Sequence, residues 1–252
     1  MIIAEKTCLD TIATSIEALK RNPDRRTPPP PKCKACQDIG YIFTEDERGQ
    51  SWAHRCLCRT GADVQTRYRI ANIPEIFRSE SLKTFKTENE KQREYKSLCQ
   101  EYVNTFEPGT DGLFLYGNPG TGKTHLAISI LRALLDKGVD GYFMTLKEYY
   151  DKIMGTFNDK SRHKDEVTIK PKTVKILVVD DIGAEKISDW RMDESRTLLD
   201  YRYNHGLTTI FTSNFTKNQL LEIVGQRIVS RMGNAYALRF SRDDGFRDMR
   251  QK

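Results

Sequence analysis

The chain has 252 residues, of which 38% are hydrophobic and 30% are charged, and it carries a formal net charge of +6 with a pI near 8.9. A chain of this length and composition can bury the core of one or two domains. It contains no apolar run as long as a membrane span, and its first residues lack the apolar segment of a secretion signal, so we expect a cytoplasmic protein without membrane attachment. The modest positive charge favours an anionic partner such as nucleic acid.

The amino-terminal segment predicts a short helix followed by a stiff connector. Ile12, Ile16 and Leu19 recur at helical spacing within residues 4 to 21, and Asn22-Pro23 ends the pattern. Four consecutive prolines, residues 28 to 31, then favour an extended polyproline segment. The amphipathic helix either packs on its own domain or binds a partner protein.

Two close pairs of cysteines predict a zinc site. The segment between the pairs can form a β-hairpin through residues 40 to 43 and 51 to 53, with its turn near residues 47 to 49. Such a hairpin would bring the pairs together, and four thiolates supply the closed tetrahedral set that structural Zn²⁺ prefers. His54 is an alternative ligand, and free thiols or a redox pair are the alternative interpretation. The four predicted ligands are Cys33, Cys36, Cys56 and Cys58.

A change in character near residue 68 predicts a domain boundary. Residues 1–68 would form an amino-terminal module that holds the first helix and the zinc site, and residues 69–252 would form a nucleotide-binding domain. The second domain begins with a lead-in around Ile73-Pro74 and a charged helix from about residue 88 to 106.

The phosphate-binding loop is the strongest signal in the sequence. Residues 117 to 124 match the pattern G-x-x-x-x-G-K-[ST] at every defined position, between an apolar strand and an apolar helix. The glycines let backbone N–H groups turn inward, Lys123 reaches the β- and γ-phosphates, and the Thr124 hydroxyl is placed to bind Mg²⁺. We therefore expect ATP to contact Gly117, Asn118, Pro119, Gly120, Thr121, Gly122, Lys123, Thr124 and His125.

The segment after the loop helix predicts a strand at residues 141 to 146, a helix at 147 to 157 and a polar loop up to residue 172. Basic and aromatic side chains are mixed here, a composition that suits phosphates and stacked bases as well as a solvated surface. These side chains are Lys152, Lys160, Arg162, His163 and Lys164, with Tyr149, Tyr150 and Phe157.

Two carboxylates and an amide are predicted at the carboxyl ends of two further strands. The apolar strand at residues 174 to 181 ends in Asp180, which is expected to hold Mg²⁺ through water, and in Asp181, which is placed as a general base for the attacking water. The strand at residues 208 to 214 ends in Asn214, whose amide can orient that water. A structural acid pair and a turn-forming asparagine are the alternatives.

Two later helices carry further candidates. The helix at residues 193 to 204 is predicted to bury Leu198, Leu199 and Tyr203. A short helix at residues 226 to 232 sets Arg227 and Arg231 on one face. These two guanidinium groups can bind phosphate oxygens across a subunit boundary or form a solvated basic surface.

These motifs resemble the AAA+ ATPases of the DnaC and DnaI replicative helicase loaders and their relative IstB, the ATPase of insertion-sequence transposition. The resemblance covers most of the chain, with residues 71 to 85, ANIPEIFRSESLKTF, as the lead-in. The motifs that carry it are GNPGTGKTH at 117 to 125, ILVVDDIGAE at 176 to 185, FTSNF at 211 to 215 and QRIVSRM at 226 to 232.

The resemblance implies an α/β AAA+ P-loop fold, in which a parallel five-stranded sheet in the order 5-1-4-3-2 follows a small zinc-bearing amino-terminal domain. The chain ends soon after Asn214, too soon for the helical lid of a general AAA+ protein, as these short loaders do. The roles that the resemblance implies are Walker A at Lys123 and Thr124, Walker B at Asp180 and Asp181, sensor 1 at Asn214, an arginine finger at Arg231 (alternatively Arg227) and sensor 2 at Arg247 (alternatively Arg242).

The function implied is ATP-dependent loading of a hexameric replicative DNA helicase onto single-stranded DNA, with ATP hydrolysed to ADP and phosphate. The resemblance also implies self-association through the ATPase domain and makes the zinc module the contact for the helicase. The alternatives are an IstB-like ATPase that regulates transposition, a small-molecule P-loop kinase and a non-hydrolysing zinc and DNA-binding module.

Overall fold

The computed structural model describes residues 33, 36, 37, 39, 41–45, 51–55, 64–158, 163–185, 188–233 and 235–248. The predicted amino-terminal helix and the proline connector lie outside these residues, as do Cys56 and Cys58. No helix in the part of the chain so described is long and apolar enough to cross a bilayer.

A two-stranded antiparallel hairpin is the first regular structure among the described residues. Strand β1 (Tyr41–Glu45) pairs with β2 (Ser51–Arg55), and Tyr41 lies opposite Arg55. The hairpin predicted between the cysteine pairs is therefore confirmed, and its turn lies outside the described residues.

The main sheet has five parallel strands. They are β3 (Leu113–Gly117), β4 (Gly141–Thr145), β5 (Ile176–Asp180), β6 (Thr208–Ser213) and β7 (Tyr236–Phe240). Their spatial order is β4-β5-β6-β3-β7. When β3 is counted as strand 1, this is the predicted order 5-1-4-3-2, which is confirmed.

Helices connect the strands. They are α1 (Val64–Ile70), α2 (Glu90–Thr105), α3 (Lys123–Asp136), α4 (Leu146–Asn158), α5 (Lys164–Thr173), α6 (Asp189–Asn204) and α7 (Lys217–Arg231), with short 3-10 turns at Glu75–Phe77 and Arg242–Asp244. The predicted domain boundary at residue 68 falls inside α1. Tyr68 there is buried and its hydroxyl donates to Asp136 of α3, so this helix packs with the nucleotide-binding core.

The core forms two apolar layers, one on each face of the sheet. Ile176 and Val178 of β5 pack into one layer, which contains much of α3, while Leu177 and Val179 pack into the other. All four side chains are fully buried. A parallel strand covered on both faces requires such a continuous apolar run, and this run places Asp180 at the carboxyl edge of the sheet.

Two local expectations were wrong. Residues 164 to 173 form helix α5 instead of a polar loop, and the misleading features were Pro171 in its last turn and a weak apolar stripe. Tyr203 was expected inside with Leu198 and Leu199, but its side chain is 54% exposed.

Candidate nucleotide site and arginine pair

The phosphate loop joins the carboxyl end of β3 to the start of α3. Gly117, Gly120 and Gly122 all have positive φ, at 129°, 77° and 92°, a backbone geometry that only glycine adopts readily. A Cβ atom on Gly117 would lie 2.1 Å from the carbonyl oxygen of Phe240 on β7. Helix α3 begins without a side-chain cap, so its first N–H groups remain available to an anion.

Lys123 is held over this loop. Its ammonium group donates to the carbonyl oxygens of Gly117 and Asn118, at 3.0 and 2.7 Å, and to Oδ1 of Asn214 at 2.9 Å. The residue is only 6% exposed. The charge is therefore fixed at the mouth of the loop, where phosphate oxygens can replace neutral acceptors.

Asp180 and Thr124 lie together as a magnesium site requires. The Thr124 hydroxyl donates to Oδ1 of Asp180 at 2.8 Å, and the Thr212 hydroxyl donates to the same oxygen at 2.6 Å. Burial raises the pKa of Asp180, and the two hydroxyl donors oppose that rise. A partly buried carboxylate next to a hydroxyl is a hard oxygen pair of the kind that Mg²⁺ prefers.

Asp181 and Asn214 complete a continuous chain of polar contacts. The amide nitrogen of Asn214 donates to Oδ1 of Asp181 at 2.8 Å, while its carbonyl oxygen accepts from Lys123. Asp181 has φ of +54°, and its N–H donates to the Thr212 hydroxyl at 2.8 Å. A left-handed backbone at a residue other than glycine costs about 1–3 kcal/mol, and here it turns an exposed carboxylate towards Asn214.

His125 contacts the lead-in rather than the inside of the loop. Its Nδ1 lies 3.0 Å from the Glu80 carboxylate, its Nε2 lies 3.1 Å from the Ser81 carbonyl oxygen, and its ring meets Phe85 edge to face. The side chain thus ties the lead-in to α3, and any nucleotide contact from this residue would come from its backbone.

The carboxyl-terminal segment passes beside the phosphate loop. The backbone N–H of Arg242 donates to Oδ1 of Asn118 at 2.9 Å, and a Cβ atom on Gly120 would lie 2.0 Å from Oδ1 of Asp248. Arg247 is exposed and directly precedes Asp248. The segment that carries the proposed sensor 2 is therefore next to the loop.

Arg227 and Arg231 lie at the opposite edge of the sheet. Arg231 lines a cleft of about 280 Å³ together with residues at the amino ends of β3, β6 and β7. Lys123, by contrast, contacts Asn214 beyond the carboxyl end of β6, which is roughly 17 Å away at ~3.3 Å per residue. Both arginines lie on a helix, as predicted. Arg231, however, is too far from the phosphate loop of its own chain to reach it.

The first cysteine pair is buried beside the hairpin. Cys33 and Cys36 are buried against Ile42 of β1, and the N–H of Ile39 donates to the carbonyl oxygen of Cys36 at 2.9 Å. The described residues contain no group of three or more metal-ligating side chains, but half of the predicted ligand set lies outside them.

The aromatic side chains of α4 divide into two groups. Tyr149 and Tyr150 are at most 2% exposed and cannot stack on a base, which corrects their expected role. Phe157 is 62% exposed and meets Trp190 edge to face, with ring centroids 6.2 Å apart. Lys164 is paired with Glu194 at 2.6 Å.

Thr212 and Asp200 are site residues that the sequence interpretation did not identify. Thr212 contacts Asp180 at the end of β5 and the backbone of Asp181 just after it, and it lies two positions before Asn214. That spacing could have found it. Asp200 bonds both Arg227 and Arg231, at 2.6 and 2.5 Å, and nothing in its local sequence indicates this.

The fold and this site define a class of protein. A phosphate loop follows β3, an acid pair ends β5, and Asn214 follows the strand between them in a parallel sheet of the observed order, which is the arrangement of AAA+ P-loop nucleotide-binding proteins. The chain belongs to the family of IstB-like ATP binding proteins, whose sequence profile matches residues 52–231.

Three known proteins illustrate the similarity. The chain is 25% identical over 182 residues to the replicative helicase loader DnaC of Escherichia coli strain K12, covering 71% of this chain and 74% of the relative. A crystal structure of the DnaC helicase loader has a TM-score of 0.59 and 27% identity, covering 67% of this chain and 99% of that chain. AMPPCP-bound DnaA from Aquifex aeolicus, at 21% identity and a TM-score of 0.56, covers 64% of this chain and 50% of that chain and shares the fold.

Proposed function

We propose that this protein is an ATP-dependent loader that delivers a hexameric replicative helicase to single-stranded DNA in the cytoplasm. The observation that carries the proposal is the unbroken contact chain from Lys123 through Asn214 to Asp181. Such a chain can report whether a γ-phosphate is present, because a phosphate would compete for both ends. The relatives known as helicase loaders supply the process that this switch would control.

ATP hydrolysis would use residues already in place. The loop N–H groups and Lys123 would bind the phosphates, and Thr124 and Asp180 would hold Mg²⁺, which would neutralise charge on the phosphate oxygens. Asp181 would accept a proton from the attacking water, and Asn214 would orient that water. Asn214 is hydrogen-bonded to both Lys123 and Asp181, and Thr124 is hydrogen-bonded to Asp180.

Arg231 would complete the site of a neighbouring subunit. Lys123 covers the phosphates from one side only, and an arginine supplied in trans accelerates related phosphoryl transfers by about 10³ to 10⁵. The position of Arg231 at the far edge of the sheet supports this role and opposes action within its own chain. Arg247, beside the loop, would contact the nucleotide as sensor 2.

The cysteine module would bind zinc and serve as the contact for the helicase. Cys33 and Cys36 would supply half of a tetrahedral site, because both are buried in one cluster beside the hairpin. In the hairpin Arg55 lies opposite Tyr41, and Cys56 directly follows Arg55 in the sequence.

Single-stranded DNA would lie along α4 and α5. Phe157 offers an exposed ring for base stacking, and the basic residues that follow would contact phosphates. An IstB-like role in transposition is the second candidate, favoured by the family match itself. A transposase gene next to this one, rather than a helicase or initiator gene, would support that role.

A binding experiment with the host's replicative helicase tests the proposal. Immobilised protein should retain the helicase from purified components, and retention should differ between ATP and ADP because Asn214 responds to the γ-phosphate. Lys123→Ala should behave in ATP as the wild type behaves in ADP. No retention in either nucleotide would overturn the proposed function.

A further inference from the structure

The geometry points to Asp200 and Tyr203 as the residues that position Arg231, rather than Arg227, to reach the γ-phosphate of a neighbouring subunit. This inference rests on the proposed function and resolves which of the two arginines acts. Asp200 and Tyr203 lie on a face of α6 that is outside the nucleotide site of their own chain, and the inferred role of this face is to orient Arg231.

Arg231 is anchored in a way that leaves its far end available. Its Nε donates to Oδ1 of Asp200 at 2.5 Å, and its guanidinium carbon lies 4.8 Å from the centroid of the Tyr203 ring. Within the described part of the chain, its two terminal nitrogens donate no hydrogen bond. A guanidinium fixed at Nε and at one face can still present both terminal nitrogens to phosphate oxygens.

Arg227 is bound through its terminal nitrogen, whereas Arg231 is bound through Nε. Its terminal Nη2 donates to Oδ2 of Asp200 at 2.6 Å, so the carboxylate takes up the end of the side chain that a phosphate would need. The side chain of Arg227 is 60% exposed and that of Arg231 is 28% exposed. Arg227 therefore supports Asp200, and Arg231 is the more firmly oriented of the two.

The Asp200 carboxylate carries the negative charge that is needed to hold Arg231. Burial raises the pKa of Asp200, but the hydrogen bonds from Arg231 and Arg227 outweigh that effect and leave the pKa below its ordinary value. Asp200 is thus ionised at neutral pH. Tyr203 was predicted to lie in the core, but its ring is exposed. The ring forms the surface on which the Arg231 guanidinium lies, which explains its exposed position.

Helix α6 is a rigid support for both positioning residues. Arg202, between them in sequence, is 1% exposed and donates to the carbonyl oxygens of Pro171, Val174 and Thr208. These bonds tie the end of α6 to α5 and β6. The positions of Asp200 and Tyr203 are therefore fixed relative to the sheet, as a group that acts across an interface requires.

Steady-state ATP turnover of Asp200→Asn and Tyr203→Leu tests the inference. Loss of a charge-assisted hydrogen bond should lower kcat by about 10- to 100-fold in Asp200→Asn, with the affinity for ATP unchanged. Arg227→Ala should lose less than Asp200→Asn. The matched control is Asp193→Asn, which removes an exposed ion pair with Arg196 on the same helix and should leave turnover unaltered.

Mixing experiments separate positioning from a general defect. Asp200→Asn mixed with Lys123→Ala should regain activity, because the second protein brings an intact arginine to the intact loop of the first. Asp200→Asn mixed with Arg231→Ala should show no more activity than Asp200→Asn alone, since both lesions affect the same side of the interface. Activity in that second mixture above the level of Asp200→Asn alone, or normal kcat in both Asp200→Asn and Tyr203→Leu, would overturn the inference.

The failures of the two proposals are distinguishable. Full turnover in Arg231→Ala would contradict the shared site in the proposed function. An inactive Arg231→Ala together with a fully active Asp200→Asn would contradict only the positioning role. If Arg227→Ala were inactive and Arg231→Ala active, the assignment of the two arginines would be reversed and the inference would fail.

Discussion

Asn214 is the residue on which the nucleotide site depends, because its two amide atoms contact opposite charges. Its oxygen accepts from Lys123 and its nitrogen donates to Asp181. This fixes the amide orientation and links phosphate binding to the proposed base. The sequence predicted each of the three residues, since the phosphate loop and the strand ends have nearly fixed geometry. It could not predict that they form one chain of contacts.

Binding and hydrolysis should separate at these residues. Lys123→Ala removes the buried cation over the loop and should lose most of the affinity for ATP. Asp181→Ala leaves the loop intact and should bind ATP yet fail to release phosphate. Equilibrium binding of a fluorescent ATP analogue and a phosphate-release assay measure the two steps. Equal loss of binding in both variants would refute the role given to Asp181.

Replacement of the buried residue Arg202 should destabilise the fold strongly. Burial lowers the pKa of its guanidinium to about 9, which leaves it charged at neutral pH among neutral acceptors. Arg202→Leu would strand several buried carbonyl oxygens and should lower the free energy of unfolding by about 3–5 kcal/mol. Urea unfolding measures this change, and Arg196→Leu on the surface of α6 is the control. A change below that of the control would contradict the account.

At the scale of elements, strands were easier to predict than helices. Strand β5 reads as an uninterrupted apolar run, and its burial on both faces follows directly. Helix α5 was taken for a loop because Pro171 and a weak apolar stripe hide its period. Tyr203 was assigned to the core because it follows Leu199 at helical spacing, and its contact with Arg231 of α7, the next helix, could not be read from that pattern.

The exposed end of α4 should contact single-stranded DNA. Phe157→Ala should weaken binding by about 1–3 kcal/mol per stacked base, with the same dependence on salt. Lys160→Ala with Lys164→Ala should instead flatten that dependence, because each phosphate contact releases a counterion. Fluorescence anisotropy at several salt concentrations distinguishes these effects. Met154→Ala, an exposed but non-aromatic neighbour, is the control, and equal weakening there would remove stacking from the explanation.

Across the whole molecule, the described chain holds two buried cysteines and a hairpin ahead of an ATP-binding fold, and the proposed active site of that fold needs a second copy. The sheet order and the phosphate loop were predictable from sequence because short motifs specify them. The pairing of Asp200 with Arg227 and Arg231 was not, since these residues lie 27 and 31 positions apart and meet only in the folded chain.

The cysteine module should contain one zinc ion per chain. Cys33→Ser should release the metal and abolish binding of the helicase while ATP binding persists, because the phosphate loop and its partners all lie between residues 117 and 248. Elemental analysis of freshly purified, reduced protein measures the metal. Cys99→Ser, a buried thiol of α2 outside the module, is the control. Absence of zinc from the wild-type protein would refute the site.

Loading of the replicative helicase onto a covalently closed circle of single-stranded DNA tests whether this protein opens the helicase ring. A closed circle has no end to thread, so a helicase ring can enclose it only if the ring is opened. Wild-type protein with ATP should place helicase on the circle, detected as ATP-driven unwinding of an annealed strand, and Lys123→Ala should not. Equal unwinding without this protein, or with Lys123→Ala in its place, would show that it is not an ATP-dependent loader.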